Sequence, residues 1–431
     1  MLDIQFIRGN PKAVKEKSKQ KGVDVNVEEL LELDQKRKKM IAQLEESRQE
    51  RNEHANSLKK GKPDKAQINK GRELKEKITS AEEVLMPIEK RFKELLTQIP
   101  NMPLDEVPVG KSENDNKVIE VVGEKPKFSF EPKSHIEIGE KKDWIDKKRA
   151  AKVAGSRFVY LKGDLVRLEW AMNQFGVDRL SDEEWLKNII EENNLKISPK
   201  PFIPILPPAV AKTAVYESTA RLDKEETTYK LAEDDLWLNA SAEHTLAPMH
   251  SGEIIDQTEL PMRYVGLTTA FRREAGSYGK DIEGIIRLHQ FNKLEIESFT
   301  TAEQGVDEHI FLVMIQRKLM EELGLPYQVI QKCTADIGGP NASGWDIDTW
   351  MAGQNAYRET HTADYMTDYQ ARRTKTRYRS KKGEVELVHN NDATVFSERP
   401  LIAIIENFQT EEGDVKVPEV LQKYMGGKKK I

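Results

Sequence analysis

The chain has 431 residues, enough for two or three domains, and although 33% of them are charged the formal net charge is only −5, so any taste for nucleic acid must come from local patches. A single cysteine, Cys333, excludes an intramolecular disulfide framework and a cysteine-cluster zinc site, so no zinc is expected. The stretch MLDIQFIRGNPKAVKEKSKQ lacks the apolar core of a secretory leader and no run of about 18 apolar residues occurs, which predicts a soluble, cytoplasmic protein with no membrane segment.

From Val27 to Leu58, apolar residues recur at Leu30, Leu33, Met40, Leu44 and Leu58 with charges between them, a heptad seam broken at Arg37, Ser47 and Arg51. A second run carries Ile68, Leu74, Ile78, Ala81, Leu85, Ile88, Phe92, Leu95 and Ile99, and Gly61-Lys62-Pro63-Asp64 between the runs provides the reversal. The pattern predicts two antiparallel helices forming a rod of about 45 Å, at about 1.5 Å per residue. Pro87 predicts a kink in the second helix. Lys59, Lys60, Lys62 and Lys65 cluster at the tip and Lys36 to Lys39 nearer the base, patches that suit a phosphate backbone but also suit a solvated face. The hairpin alone fits a dimerisation rod or a spacer equally well.

The stretch PNMPLDEVPVGKSENDNK reads as a linker, with a boundary near Asp105. Beyond it, alternation predicts strands over Ser156 to Lys162, Arg263 to Glu274 and Ile285 to Ser298, and helices over Glu183 to Asn193 and Val306 to Leu323. The last two strands flank the glycine-rich AGSYGKDIEG and form a hairpin with a long tip. Alternation along its second strand places Arg287, His289, Phe291, Lys293 and Glu295 on one face and Ile286, Leu288, Leu294 and Ile296 on the other, with Arg272 and Glu274 arriving from the facing strand. Burying isolated charges is costly, so these groups pair with each other, stay wet or await a charged ligand. An ion-paired structural sheet is one reading. A nucleotide site is the other, with arginine for phosphate, an aromatic ring for a purine, and acids for an amine or a metal.

Phe271-Arg272-Arg273-Glu274, the glycine-rich loop, and Arg287-Leu288-His289-Gln290-Phe291-Asn292-Lys293-Leu294-Glu295 together resemble motif 2 of class II aminoacyl-tRNA synthetases, in the version found in seryl-tRNA synthetases. The start MLDIQFIRGNPKAV, the helical hairpin, the PNMPLDEVPVGKSENDN linker and VPEVLQKYMGG near the end are similar to the same family, most weakly from about residue 176 to 235. The resemblance implies an α+β chain: residues 1–105 as a tRNA-binding domain with a long coiled-coil arm, and residues 106–431 as a class II catalytic domain, an antiparallel sheet flanked by helices.

Residue by residue, the resemblance implies that Ser241, Ala242 and Glu243 stand for the Thr-Ala-Glu triplet that holds the amino acid, and that Glu295 matches the acid binding the serine substrate. Arg272 matches the arginine gripping the α-phosphate and the substrate carboxylate. Arg273, Glu274 and the run Leu288, His289, Gln290 and Phe291 match ATP-contacting segments, with Phe291 as the ring under adenine. After Gln354-Asn355-Ala356-Tyr357, the segment Glu359, Thr360, His361 and Thr362 matches a further ATP segment in which Glu359 and Thr362 bind Mg2+. In SERPLIAIIENF, Arg399 matches the arginine that holds the γ-phosphate, while Ser397 suits a helix cap and Pro400 its first turn. Pro204 is the match to the motif 1 proline, and that motif builds a dimer interface in the family.

Two departures stand out. Asn391-Asp392-Ala393-Thr394 puts Ala393 where the family has a substrate-contacting hydroxyl, leaving Thr394 as a substitute one residue on. Glu398 replaces a glycine beside Arg399 and is expected to point outward, since near ATP it would repel. The implied activity is ATP-dependent activation of L-serine to seryl-adenylate, then transfer to tRNA(Ser), by a homodimer; whether tRNA(Sec) is served is open. His289 is expected to be structural or ATP-adjacent and Cys333 an ordinary buried thiol. Two other readings compete: a synthetase-like ligase loading a carrier protein, which would lack the long hairpin, and a non-catalytic RNA-binding paralogue, against which Arg272, Glu274, Phe291, Glu359 and Arg399 speak.

Overall fold

The computed structural model describes residues 1–58, 64–221, 228–274 and 284–431. It divides into two compact units, Met1–Met102 and Pro103–Ile431.

The first unit holds short helices α1 (Ile4–Gly9) and α2 (Pro11–Gln20) and long helices α3 (Val27–Ser57) and α4 (Lys65–Gln98). The side chain of Asn26 caps α3 by accepting from Glu29 N at 3.0 Å, and Asp64 with Gln67 forms a reciprocal capping box at the start of α4. Leu44, Ile78 and Leu85 pack together with Met40, Ile41 and Ala81, as the heptad seam requires. The off-pattern residues are accommodated individually: Arg37 reaches Glu89 at 3.2 Å and lies over the Phe92 ring, and Ser47 donates back to Gln43 O at 2.9 Å. Arg91 grips Glu29 through two hydrogen bonds of 2.7 and 3.0 Å. Ile68, expected in the seam, is half exposed. Pro87 lies inside α4, and the helix continues through it to Gln98. The expected reversal and the tip lysines Lys59, Lys60 and Lys62 lie outside the described residues.

The second unit is built on an eight-stranded sheet: β1 (Lys117–Val122), β2 (Ile203–Ile205), β3 (Met262–Phe271), β4 (Gln290–Thr300), β5 (Tyr327–Gln331), β6 (Ser343–Met351), β7 (Ala356–Thr367) and β8 (His389–Phe396), in spatial order β1-β5-β6-β7-β8-β4-β3-β2. Every pairing is antiparallel except that of β2 with β3. Helices α5 (Asp164–Leu180), α6 (Glu183–Glu192), α7 (Gly305–Leu323) and α8 (Glu398–Asn407) cover one face, where Phe175, Leu294, Ile296, Phe311, Ala363, Ala393 and Leu401 share a core. The helical periodicities at 183 and 306 thus end within a residue or two of where the sequence placed them.

Three strand expectations change. The one at Ser156 to Lys162 shrinks to Tyr160–Leu161, since Arg157 adopts a positive φ of 62° that no strand accommodates. β3 stops at Phe271, and Glu274 turns away at φ 47°. β4 starts only at Gln290: Gly284, at φ 82°, aims the chain inward so that Ile285, Ile286 and Leu288 enter the core, and a side chain there would strike His135 Nε2 at 2.2 Å.

Candidate active site

The sheet face away from the core helices is polar. Along β4 the residues on this face are Phe291, Lys293, Glu295 and Glu297, because successive side chains alternate and Leu294 and Ile296 take the core. At the start of this row, Arg272 N donates to His289 O at 3.0 Å while His289 Nδ1 lies 2.9 Å from Arg272 O, so the histidine ring pins the backbone of the arginine. Arg272 Nε donates to Ala240 O at 3.1 Å and its guanidinium lies 5.2 Å from the centre of the Phe291 ring. Among the described residues no carboxylate forms an ion pair with Arg272. Arg273 lies over the Tyr229 ring at 5.5 Å, and Glu274 pairs with Arg287 at 3.1 Å. Leu288 is a core residue. Gln290 and Phe291 line a cavity of about 240 Å³ together with Phe158, Glu169 and Glu398.

Glu359 and Thr362 are three apart, which on a regular strand would separate them onto opposite faces. The register slips here: His361 pairs with Ile347 and Glu359 with Asp348, leaving Thr360 as an extra residue. This bulge returns Glu359 and Thr362 to the same face. Thr360 and His361 turn inward, Thr360 Oγ1 to Ile347 O at 3.0 Å and His361 against the Phe396 ring, so neither side chain joins the groove. Arg399 reaches across to the pair, donating to Glu359 O at 2.8 Å and forming an ion pair with Glu359 Oε1 at 3.0 Å. The Ser397 side chain caps α8 by accepting from Arg399 N, and Pro400 sits in the first turn.

Glu398 corrects an expectation. It does not point outward but is 7% exposed, with one oxygen lacking a hydrogen-bond partner among the described residues. Burial pushes its carboxyl up to about 7, against the opposing pull of Arg399 and Arg272.

At the other end, Ser241 Oγ donates to Glu295, Lys293 Nζ bridges Glu295 and Ser241 Oγ, and Glu243 N donates to Glu295 Oε2 at 3.3 Å. Ala242 is wholly buried between them. Burial alone would raise the Glu243 carboxyl, but Arg221 at 2.9 Å and His244 outweigh it and hold it well below the ordinary range, hence ionised. Asn391 and Ala393 are not on this face: Asn391 Nδ2 donates to Gly305 O at the start of α7, and Ala393 packs in the core beside Ile296. Thr394 pairs with Glu295 and shares its face. Alternation therefore selects Thr394 over Ala393 for this side.

Four charged residues of the groove were not singled out from the sequence. Glu297 and Asp392 follow from alternation carried two residues further, since they pair directly across β4 and β8. Asp364 pairs with Asp392 in turn. Arg221, which bridges Glu243, Asp364 and Asp392, carries no local sequence signal.

The family model for the seryl-tRNA synthetase N-terminal domain matches residues 1–103, and that for the tRNA synthetase class II core domain (G, H, P, S and T) matches residues 227–408. The serine–tRNA ligase of Nitrosopumilus maritimus is 36% identical over 438 residues, covering 100% of both chains, and that of Thermodesulfovibrio yellowstonii is 39% identical over 437 residues, covering 99% of both. Among solved structures, seryl-tRNA synthetase from Pyrococcus horikoshii complexed with ATP superimposes with a TM-score of 0.87 at 36% identity, over 100% of this chain and 99% of that one. Giardia lamblia prolyl-tRNA synthetase, at 15% identity and a TM-score of 0.53 over 66% of this chain and 54% of that one, shares the fold.

Proposed function

Since the chain belongs to the seryl-tRNA synthetase family of class II ligases, we propose that it activates L-serine with ATP to seryl-adenylate and passes the seryl group to tRNA(Ser). The observation that carries this reading is the set Phe291, Arg272, Glu295 and Glu243, which brings together an aromatic face, a guanidinium without a carboxylate partner among the described residues, and two neighbouring acids.

The reaction needs no nucleophile from the protein. Adenine stacks on Phe291, Arg272 holds the α-phosphate and the substrate carboxylate, and Glu243 with Glu295 takes the substrate ammonium. The carboxylate oxygen then attacks the α-phosphorus, and pyrophosphate leaves with the electron pair of the broken P–O bond. Catalysis is positioning plus neutralisation of charge that grows on the phosphate. Arg399 serves the far end of the triphosphate, for which it must exchange Glu359 for phosphate oxygen. Glu359 and Thr362 present a carboxylate and a hydroxyl on one face, the hard oxygen donors that Mg2+ prefers. Bound there, Mg2+ would supply further neutralisation of phosphate charge.

The charge-laced hairpin of the first unit, with its run Lys36-Arg37-Lys38-Lys39, supports a role in holding tRNA, and homodimer formation is supported by the exposed apolar edge at β2, where Ile203 is 52% and Leu206 82% exposed. A cytoplasmic site of action accords with tRNA charging, and no described helix is long and apolar enough to cross a membrane. Serine-dependent ATP–pyrophosphate exchange tests the proposal. Arg272→Ala should lower it by about 100-fold, near 3 kcal/mol of transition-state stabilisation. Near-normal exchange in that variant would remove Arg272 from the mechanism.

A further inference from the structure

The amino-acid end of the groove carries more acid than the proposed reaction uses. Two residues beyond Glu295 on the same face of β4, about 7 Å along the strand, Glu297 faces Asp392 of β8, which faces Asp364 of β7. Three carboxylic acids thus fill one cross-strand row, an arrangement that repels itself. All three are buried, at 0%, 1% and 5% exposure.

Arg221 relieves part of this, at 2.9 Å from Asp392 and 3.6 Å from Asp364, while Asn390 Nδ2 donates to Glu297 Oε1 at 2.9 Å. Even so, Glu297 Oε2, Asp364 Oδ1 and Asp392 Oδ1 each lack a hydrogen-bond partner among the described residues, and buried oxygens in that condition are costly. The nearby cations are engaged: Lys293 with Glu295 and Ser241, and Lys332 closer to Asp346 at 3.6 Å than to Asp364 at 4.0 Å. Burial and neighbouring carboxylates push Glu297 and Asp392 well above the ordinary range. One oxygen from each of Glu243, Glu295 and Asp392 lies within 4.8 Å of the others, so the acidic row opens directly onto the acids assigned to the substrate's α-ammonium.

We propose that this row is the side-chain end of the amino-acid pocket and receives an ammonium group, so that the site activates short diamino acids of the 2,3-diaminopropionate type as well as serine. The inference rests on the adenylation reading above and extends its substrate class. The α-carboxylate stays on Arg272 and the α-ammonium on Glu243 and Glu295. The side-chain ammonium then brings a positive charge and several N–H donors to a row of acids that holds unpartnered oxygens, where a serine hydroxyl brings one donor and no charge. A bare divalent ion is the poorer occupant, because the Arg221 guanidinium already lies within the row and repels it twice as strongly as it repels a single charge. Bond making is unchanged: the α-carboxylate oxygen bonds to the α-phosphorus and pyrophosphate departs.

The test is ATP–pyrophosphate exchange by the full chain with L-serine, L-2,3-diaminopropionate, L-2,4-diaminobutyrate and L-2-aminobutyrate. At least one diamino acid should match or exceed serine in kcat/KM, with 2-aminobutyrate at least 100-fold lower than that diamino acid. In Glu297→Gln and Asp392→Asn, the diamino acid should lose at least tenfold relative to serine. Should either variant fail to fold, the four-substrate comparison on the unaltered chain still decides. Exchange with serine while both diamino acids fall to the level of 2-aminobutyrate overturns this inference and leaves the adenylation reading standing; exchange with none of the four overturns that reading itself.

Discussion

Glu398 occupies the first turn of α8 beside Arg399, where a helix N-terminus favours an anion, yet it is buried and held protonated to about pH 7. The sign of the consequence follows from linkage. The folded state keeps a proton that the unfolded chain, with an ordinary value of 4.5, has already released. Stability from this group is therefore lost as pH rises from about 4.5 to about 7, and the loss is complete above that. Glu398→Gln cannot ionise, so urea denaturation should show its stability relative to the unaltered protein climbing across that window, by about 3 kcal/mol. A constant difference from pH 5 to pH 8 would show that Glu398 ionises normally. The sequence marked this residue as a departure but mistook its direction, because charge type alone argues for solvent, whereas the residue is buried in the first turn of α8.

At the scale of elements, periodicity carried most of the fold, and irregularity carried what it missed. The heptad seam gave α3 and α4, and helices α6 and α7 were visible from their apolar spacing. Alternation gave β4 its polar and apolar faces, but the start of that strand depended on the positive φ of Gly284, which no spacing rule reveals. The bulge at Thr360 is a similar case: Glu359 and Thr362 were found by resemblance, while strict alternation would have set them apart. Ala393 and Thr394 show the converse, since the ladder alone assigns each to its face. The hairpin leads to a prediction of its own. The second unit has its own core and contains every residue assigned to adenylation. A variant lacking residues 27–99 should keep serine-dependent ATP–pyrophosphate exchange within a few-fold and lose charging of serine tRNA. Undiminished charging would reduce the arm to a spacer.

For the molecule as a whole, the question set by its opposed charges is whether they exist for each other or for a ligand, and the structure divides them. Arg287 is paired with Glu274 at 3.1 Å and Arg399 with Glu359 at 3.0 Å, both at partly exposed positions where such pairs contribute little, on the order of 1 kcal/mol or less. A triphosphate can displace pairs that weak. The Arg272 side chain instead lies over Phe291 and hydrogen-bonds the backbone carbonyl of Ala240, positioned where a phosphate meets a purine ring. The most direct measurement is a crystal structure of the full chain with ATP and Mg2+. The account predicts adenine on Phe291, the α-phosphate on Arg272, and Arg399 released from Glu359 to hold the far end of a bent triphosphate. A groove left empty at saturating ATP, with Arg399 still on Glu359 and Arg287 still on Glu274, would contradict it.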